Sequence, residues 1–258
     1  MVSAMWDIHR LGEVDSTNTF VRDRARQGAA AGLVAVADHQ TAGRGRLDRR
    51  WESPAGANLL VSVLLRPHCS AADVHLCAGA VALAAADACR EVAGVAPVLK
   101  WPNDLLFDGA KLAGVLAEAE FAGSSLTAVI VGIGLNVAWP GPPEAGGTCL
   151  DDAGGQAQPV DRQVLLDSLL RALEPRCALL DDAAGRRALA DEVRSLCGTV
   201  GQLVRVTLAG EELTGRASAI DDSGRLVVDT DSGPRSVSAG DVVHVRPDQG
   251  REGLQGLG

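Results

Sequence analysis

Residues 98–115 read VLKWPNDLLFDGAKLAGV. The run predicts a strand over Val98–Trp101, a turn at Pro102-Asn103-Asp104, a short strand over Leu105–Phe107 and a hairpin at Asp108-Gly109, a dipeptide suited to the left-handed backbone of a two-residue turn. Beyond it, Lys111–Phe121 and Leu126–Val137 read as paired strands across Gly123-Ser124-Ser125. Upstream, Ser70 to about Ala93 reads as a helix capped by Ser70 and closed by Gly94. Leu33–Ala37 and Leu59–Leu65 read as buried strands, with a polar stretch from Gln40 to Asn58 between them. A further helix starts at Asp15-Ser16-Thr17-Asn18-Thr19 and ends at Gly28. Downstream, the chain loosens from Ala138 to Pro159, then turns helical over Asp161–Leu180 and Arg186–Leu196. Strands and helices in this order make an α+β domain, placed over 1–197.

The composition changes at Gly198. Short alternating strands are expected at Leu203–Leu208, Glu212–Ile220, Leu226–Thr230, Arg235–Val237 and Val242–Arg246, separated by glycine turns. Five short strands in so few residues predict a small β-barrel over 198–247, followed by a loose tail over 248–258.

Aromatic residues make up 3% of the 258 residues and tyrosine is absent, so the core must be built from Ala, Val and Leu. A formal net charge of −9 argues against bulk attraction to nucleic acid or to an anionic membrane. Six cysteines without a Cys-x-x-Cys pair fit a reducing compartment. His68, Cys69, His75 and Cys77 are a candidate metal patch, but the helix start at Ser70 and the apolar setting of Cys77 favour a structural role. The N-terminal residues carry no signal-peptide pattern and no run reaches the length of a membrane span, so a cytoplasmic location is expected.

Three motifs carry chemistry. Gly43-Arg44-Gly45-Arg46-Leu47-Asp48-Arg49-Arg50-Trp51 alternates glycine, which lets backbone N–H groups approach a ligand, with arginine, whose planar fork matches carboxylate and phosphate oxygens. Such a loop suits the meeting of two mutually repelling anions, a carboxylate and a nucleotide phosphate. It also suits a solvated or RNA-touching basic segment; the net charge of −9 favours the small ligand. In the second motif Pro102 presents Asn103 and Asp104 at a turn, and Lys111 opens an apolar strand, either as an edge cation or as a cation aimed at an anion. In the third, Gly132-Ile133-Gly134-Leu135-Asn136, the third glycine of a dinucleotide fingerprint is missing and no helix follows, so the glycines are read as clearing space for a flat ligand. No Walker loop, nucleophile elbow or His-Glu-x-x-His is present.

In this order, together with Asp15–Asn18, Gln40–Arg46 and Lys111–Leu116, the motifs resemble the biotin–protein ligase family. The resemblance implies a mixed sheet with flanking helices, related to class II aminoacyl-tRNA synthetases and lipoate ligases, with a C-terminal SH3-like barrel. It implies that biotin and MgATP form biotinyl-5′-AMP, which is transferred to a lysine of a biotin carboxyl carrier domain of an acyl-CoA carboxylase. Ser16, Thr17, Asn18, Gln40, Gly43, Arg44, Gly114 and Gly132 are then expected around biotin. Lys111 and Arg46 are expected between carboxylate and α-phosphate, and Arg49, Trp51, Asn103 and Asn136 near the adenylate. Asp104 is the candidate for receiving the acceptor lysine's proton. For Ser16 and Thr17 helix capping is a second reading.

Two departures from many relatives stand out. Leu47 and Asp48 replace a basic residue and a glycine, and Asp48 is expected to pair with Arg49 or Arg50 or to change how tightly the adenylate is held. Only fifteen residues precede Ser16, too few for a helix-turn-helix domain, so no DNA partner is expected. The remaining expectations are no tightly bound prosthetic group and a monomer or weak homodimer. The alternatives are a lipoate–protein ligase or lipoyl transferase on the same fold and, from another class, a non-enzymatic RNA-binding protein.

Overall fold

The computed structural model describes residues 5–244 except 48, 156, 209 and 239; the expectations for Asp48, for 245–246 and for the tail fall outside the described residues. Seven strands form the main sheet: β1 (Asp7–Val14), β2 (Leu33–Gln40), β3 (Leu59–Leu65), β4 (Val98–Lys100), β5 (Asp104–Phe107), β6 (Ala110–Ala122) and β7 (Ser125–Leu135), in the order β1-β2-β3-β7-β6-β5-β4. β1 runs parallel to β2 and every other neighbouring pair is antiparallel, so the sheet is mixed.

The hairpin at Asp108-Gly109 has φ of 49° and 81°, the left-handed pair its sequence calls for. β3, sequence LLVSVLL, is buried along its whole length because both faces are covered. On one face lie α2 (Val74–Ala93), α4 (Arg162–Leu179) and α5 (Ala183–Leu196); on the other lies α1 (Thr17–Arg26). The alanine-rich α2 packs closely: a Cβ at Gly79 would lie 2.6 Å from Val193 of α5. Contrary to the expectation that no run reaches that length, residues 71–93 are long and apolar enough, by length and composition alone, to span a membrane; 67% of their apolar window is buried inside the protein, as in a core helix.

The expected single helix from Ser70 is a 3₁₀ turn, Ala71–Asp73, followed by α2. Ser70 and Asp73 form the capping box and Gly94 closes α2 at φ 69°. The loosened stretch contains a 3₁₀ turn, Pro143–Ala145, and a short helix, α3 (Leu150–Ala153). β1 has no counterpart in the sequence reading, because an edge strand this exposed lacks an apolar face to announce it.

The C-terminal sheet comprises β8 (Leu203–Leu208), β9 (Glu211–Ile220), β10 (Leu226–Thr230), β11 (Gly233–Val237) and β12 (Asp241–His244), all antiparallel, in the order β11-β10-β9-β8-β12. It is fastened to the main sheet at Trp101, whose backbone N–H donates to Thr199 Oγ1 at 3.0 Å and whose indole N–H donates to the Gly224 carbonyl at 3.0 Å.

Candidate active site

A cleft of about 790 Å³ opens where the N-terminus of α1, residues 44–47 and 49–52, the turn before β5 and the glycines of β6 and β7 meet, with Val242 and Val243 of the C-terminal sheet and the preceding Gly240 also lining it. Its inner end is built by polar side chains in an apolar setting. Ser62, the lone polar residue of β3 and fully buried, has its hydroxyl 2.7 Å from Thr17 Oγ1 and 2.6 Å from Asn18 Oδ1. The Gln40 side-chain amide oxygen accepts from the Thr17 backbone N–H at 2.8 Å and from its hydroxyl at 3.1 Å. Gln40 therefore satisfies the free N–H at the start of α1. Ser16 occupies the N-cap position but its side chain makes no capping bond, so the capping reading of Ser16 does not hold. Gly132 floors this end: a Cβ there would strike the Asn18 amide oxygen and lie 2.9 Å from Asn18 Cγ.

The outer end holds the charges. Lys111 Nζ lies 2.7 Å from Asp104 Oδ1 and 5.5 Å from the centre of the Trp51 ring. Trp51 lies across the glycines of β6 and β7: a Cβ at Gly114 would come within 3.1 Å of its indole, and one at Gly134 would overlap it. The space expected at Gly134 thus admits a flat group of the protein itself. Asn103 accepts from Arg46 NH1 at 3.2 Å and donates to the Val115 carbonyl at 2.7 Å.

Residues 43–47 and 49–51 are drawn together as two arms of a tight hairpin. Trp51 N–H donates to Gly43 O at 3.0 Å, Gly45 N–H donates to Arg49 O at 2.7 Å, and Arg44 bridges to Arg50. At its tip Leu47 has φ 53° and is 63% exposed, a left-handed conformation costly for a branched side chain.

Lys111, Asp104, Arg46, Arg49, Trp51 and Asn103 share this one cleft with Ser16, Thr17, Asn18, Gln40, Gly114 and Gly132. Gly43 does not line it; it faces the hollow on the other side of the hairpin, where a Cβ would strike the Trp51 carbonyl. Arg44 lines the cleft, but its guanidinium is engaged by Glu118 through two bonds, at 2.9 and 2.5 Å. Asn136 also lines it, yet is 3% exposed and spends its amide hydrogens on the carbonyls of Pro140 and Thr148, each at 3.0 Å, which pins the 140–148 loop.

Sequence reasoning missed Ser62, Glu118 and Asn58, the last accepting from the Val137 N–H at 2.9 Å. For Ser62 the signal was one polar residue inside an apolar strand, which must find a partner when buried. No group of three His, Cys, Asp or Glu side chains able to hold a metal occurs among the described residues. In the 68–77 patch, His75 Nδ1 meets the Ala72 carbonyl at 2.8 Å and His68 pairs with Asp181 at 3.4 Å.

Residues 11–136 match the model of the biotin/lipoate A/B protein ligase family, and residues 199–245 match that of the biotin protein ligase C-terminal domain. The chain belongs to the biotin/lipoate A/B protein ligase family. It is 40% identical to the biotin–[acetyl-CoA-carboxylase] ligase of Mycobacterium tuberculosis over 92% of this chain and 88% of that one, and 33% identical to the protein of the same name from Paracoccus denitrificans over 90% and 98%. The biotin protein ligase of Aquifex aeolicus in complex with biotin and ATP superposes with a TM-score of 0.76 at 27% identity, over 93% of this chain and 99% of that one. These relatives place the chain among the biotin–protein ligases of that family.

Proposed function

We propose that the protein joins biotin to ATP and passes the biotinyl group to a lysine of a carrier domain of acetyl-CoA carboxylase or a related acyl-CoA carboxylase. The biotin carboxylate attacks the α-phosphate of MgATP, the metal arriving on the substrate's phosphates, and pyrophosphate leaves. The lysine amine then attacks the carbonyl of biotinyl-5′-AMP and AMP leaves. The observation that carries this reading is the placement of Lys111, Asp104 and Trp51 in the same cleft as Thr17 and Asn18, which the fully buried Ser62 holds by hydrogen bonds.

In this reading the ring of biotin lies over Gly132 against Thr17, Asn18 and Gln40, with its carboxylate toward Lys111. Asp104 balances the charge of Lys111 at 2.7 Å. Once the carboxylate and α-phosphate take Lys111, Asp104 is released to accept a proton from the acceptor lysine. Arg46 and Arg49 face the phosphates and Trp51 the adenylate, and the hairpin keeps water from the anhydride.

We read 1–197 as the catalytic unit and 198–247 as the barrel, supported by the two separate sheets. We also place the enzyme in the cytoplasm as a monomer or weak homodimer, with diffusible substrates, no tightly bound prosthetic group and neither a DNA nor a membrane partner. The net charge of −9 supports the last point.

The test is incubation with biotin, MgATP and a carrier domain, read by mass. A carrier gaining one biotinyl group is expected; transfer of lipoate and not biotin would overturn the choice of substrate.

A further inference from the structure

Glu118, on β6 and 23% exposed, belongs to none of the three sequence motifs. Its carboxylate is nonetheless the meeting point of three elements. Both oxygens accept from the fork of Arg44 at 2.9 and 2.5 Å; Oε2 also accepts from Asn18 Nδ2 at 2.8 Å, and Oε1 from Arg22 NH1 of α1 at 3.3 Å. An ionised carboxylate only accepts, so the amide of Asn18 must turn its NH₂ to Glu118. Its oxygen is then left to Ser62, at 2.6 Å, and to the cleft floor beside Gly132.

Arg44 lies at the root of the hairpin, where it bridges to Arg50, one residue before Trp51. A clamp at Arg44 therefore restrains both arms of the hairpin, and with them Trp51 beside Lys111 and Arg46 on Asn103.

We propose that Glu118 is a positioning residue that sets the ring pocket and the arginine hairpin together: one carboxylate orients the Asn18 amide and latches the hairpin root through Arg44. The role rests on reading the cleft as the biotin and adenylate site. The latch itself does not depend on that reading, because it is made entirely by side chains of this chain.

Two measurements test it. In ligand-free protein, trypsin cleavage after Arg46 and Arg49 reports opening of the hairpin. Glu118→Gln should speed it about tenfold, the loss expected of one charge-assisted contact. The E118Q/R44Q double variant should be cleaved no faster than E118Q, because both substitutions break one latch. With biotin and ATP, E118Q should raise KM for biotin and speed biotinyl-adenylate dissociation about tenfold while leaving kcat for pyrophosphate release within about twofold.

Wild-type cleavage rates in E118Q, additive effects in the double variant, or slower adenylate dissociation because a freed Arg44 turns to the ligand would each overturn the proposal. Should E118Q not fold, R44Q, at a side chain 36% exposed, carries the test: unchanged cleavage after Arg46 in that variant also overturns it. A wild-type enzyme that forms no adenylate would sink the ligase reading and leave the cleavage comparison standing.

Discussion

The two ends of the cleft are built on different principles. At the inner end, Thr17, Asn18 and Ser62 are each no more than 4% exposed, and they bond to one another, to Gln40 or to Glu118. At the outer end, Leu47 sits in a strained left-handed conformation, and the indole N–H of Trp51 is buried without a hydrogen-bond partner. A satisfied buried network is costly to rearrange, whereas strain and missing partners lower the cost of moving. The inner end is organised before a ring arrives, and the outer end is arranged to change partners when charged groups enter.

Substitutions at the two ends test that contrast. The largest effect is expected at the outer end, from Lys111→Ala: biotin-dependent pyrophosphate release should fall about ten- to hundredfold, and a near-normal rate would remove Lys111 from the mechanism. Next, Gly132→Ala should weaken biotin binding by about tenfold or more, because Asn18 is pinned and cannot yield. Gly134→Ala displaces only the Trp51 ring and should cost ATP affinity by less, leaving biotin affinity within about twofold. Calorimetry with each ligand checks the pair, and equal losses of biotin binding would erase the distinction between the two ends.

Ser62→Ala should destabilise the protein by about 1–3 kcal/mol and weaken biotin binding with it, since two buried polar groups lose their shared partner. Denaturant titration measures this. Asp161→Ala, at a residue that does not line the cleft, removes a cap that accepts from the N–H groups of Gln163 and Val164. It should cost about 1 kcal/mol with activity unchanged.

The smallest effect concerns pH. Burial, and then the charge of Lys100, hold the His244 imidazole below its usual pKa of 6.5, and its Nε2 lies 3.1 Å from Thr199 Oγ1. The unfolded chain binds this proton more readily than the folded one, so stability present above pH 6.5 is lost as pH falls below it. Melting curves across pH 5 to 8 should show a drop that His244→Asn flattens; identical profiles would assign the pH dependence elsewhere.

Much of the fold was legible because its signals are local. Asp108-Gly109, the capping box at Ser70 and Gly94 each act over a few residues, and each is found where expected. The edge strand β1 was not, because its pairing with β2 gives it no buried face of its own. The arginine loop was visible as a concentration of charge, but the sequence could not say where each charge is spent.

Taken alone, the sequence determined the α+β class, the five C-terminal strands and the residue types that gather at the cleft, since turn chemistry and apolar periodicity depend on near neighbours. Only the tertiary structure decided that Arg44 is held by Glu118, 74 residues away, that Asn136 pins a loop, and that Ser62 orders the ring pocket. Those pairings depend on strand register and on which faces meet, and such geometry exists only once the sheet has closed on its helices.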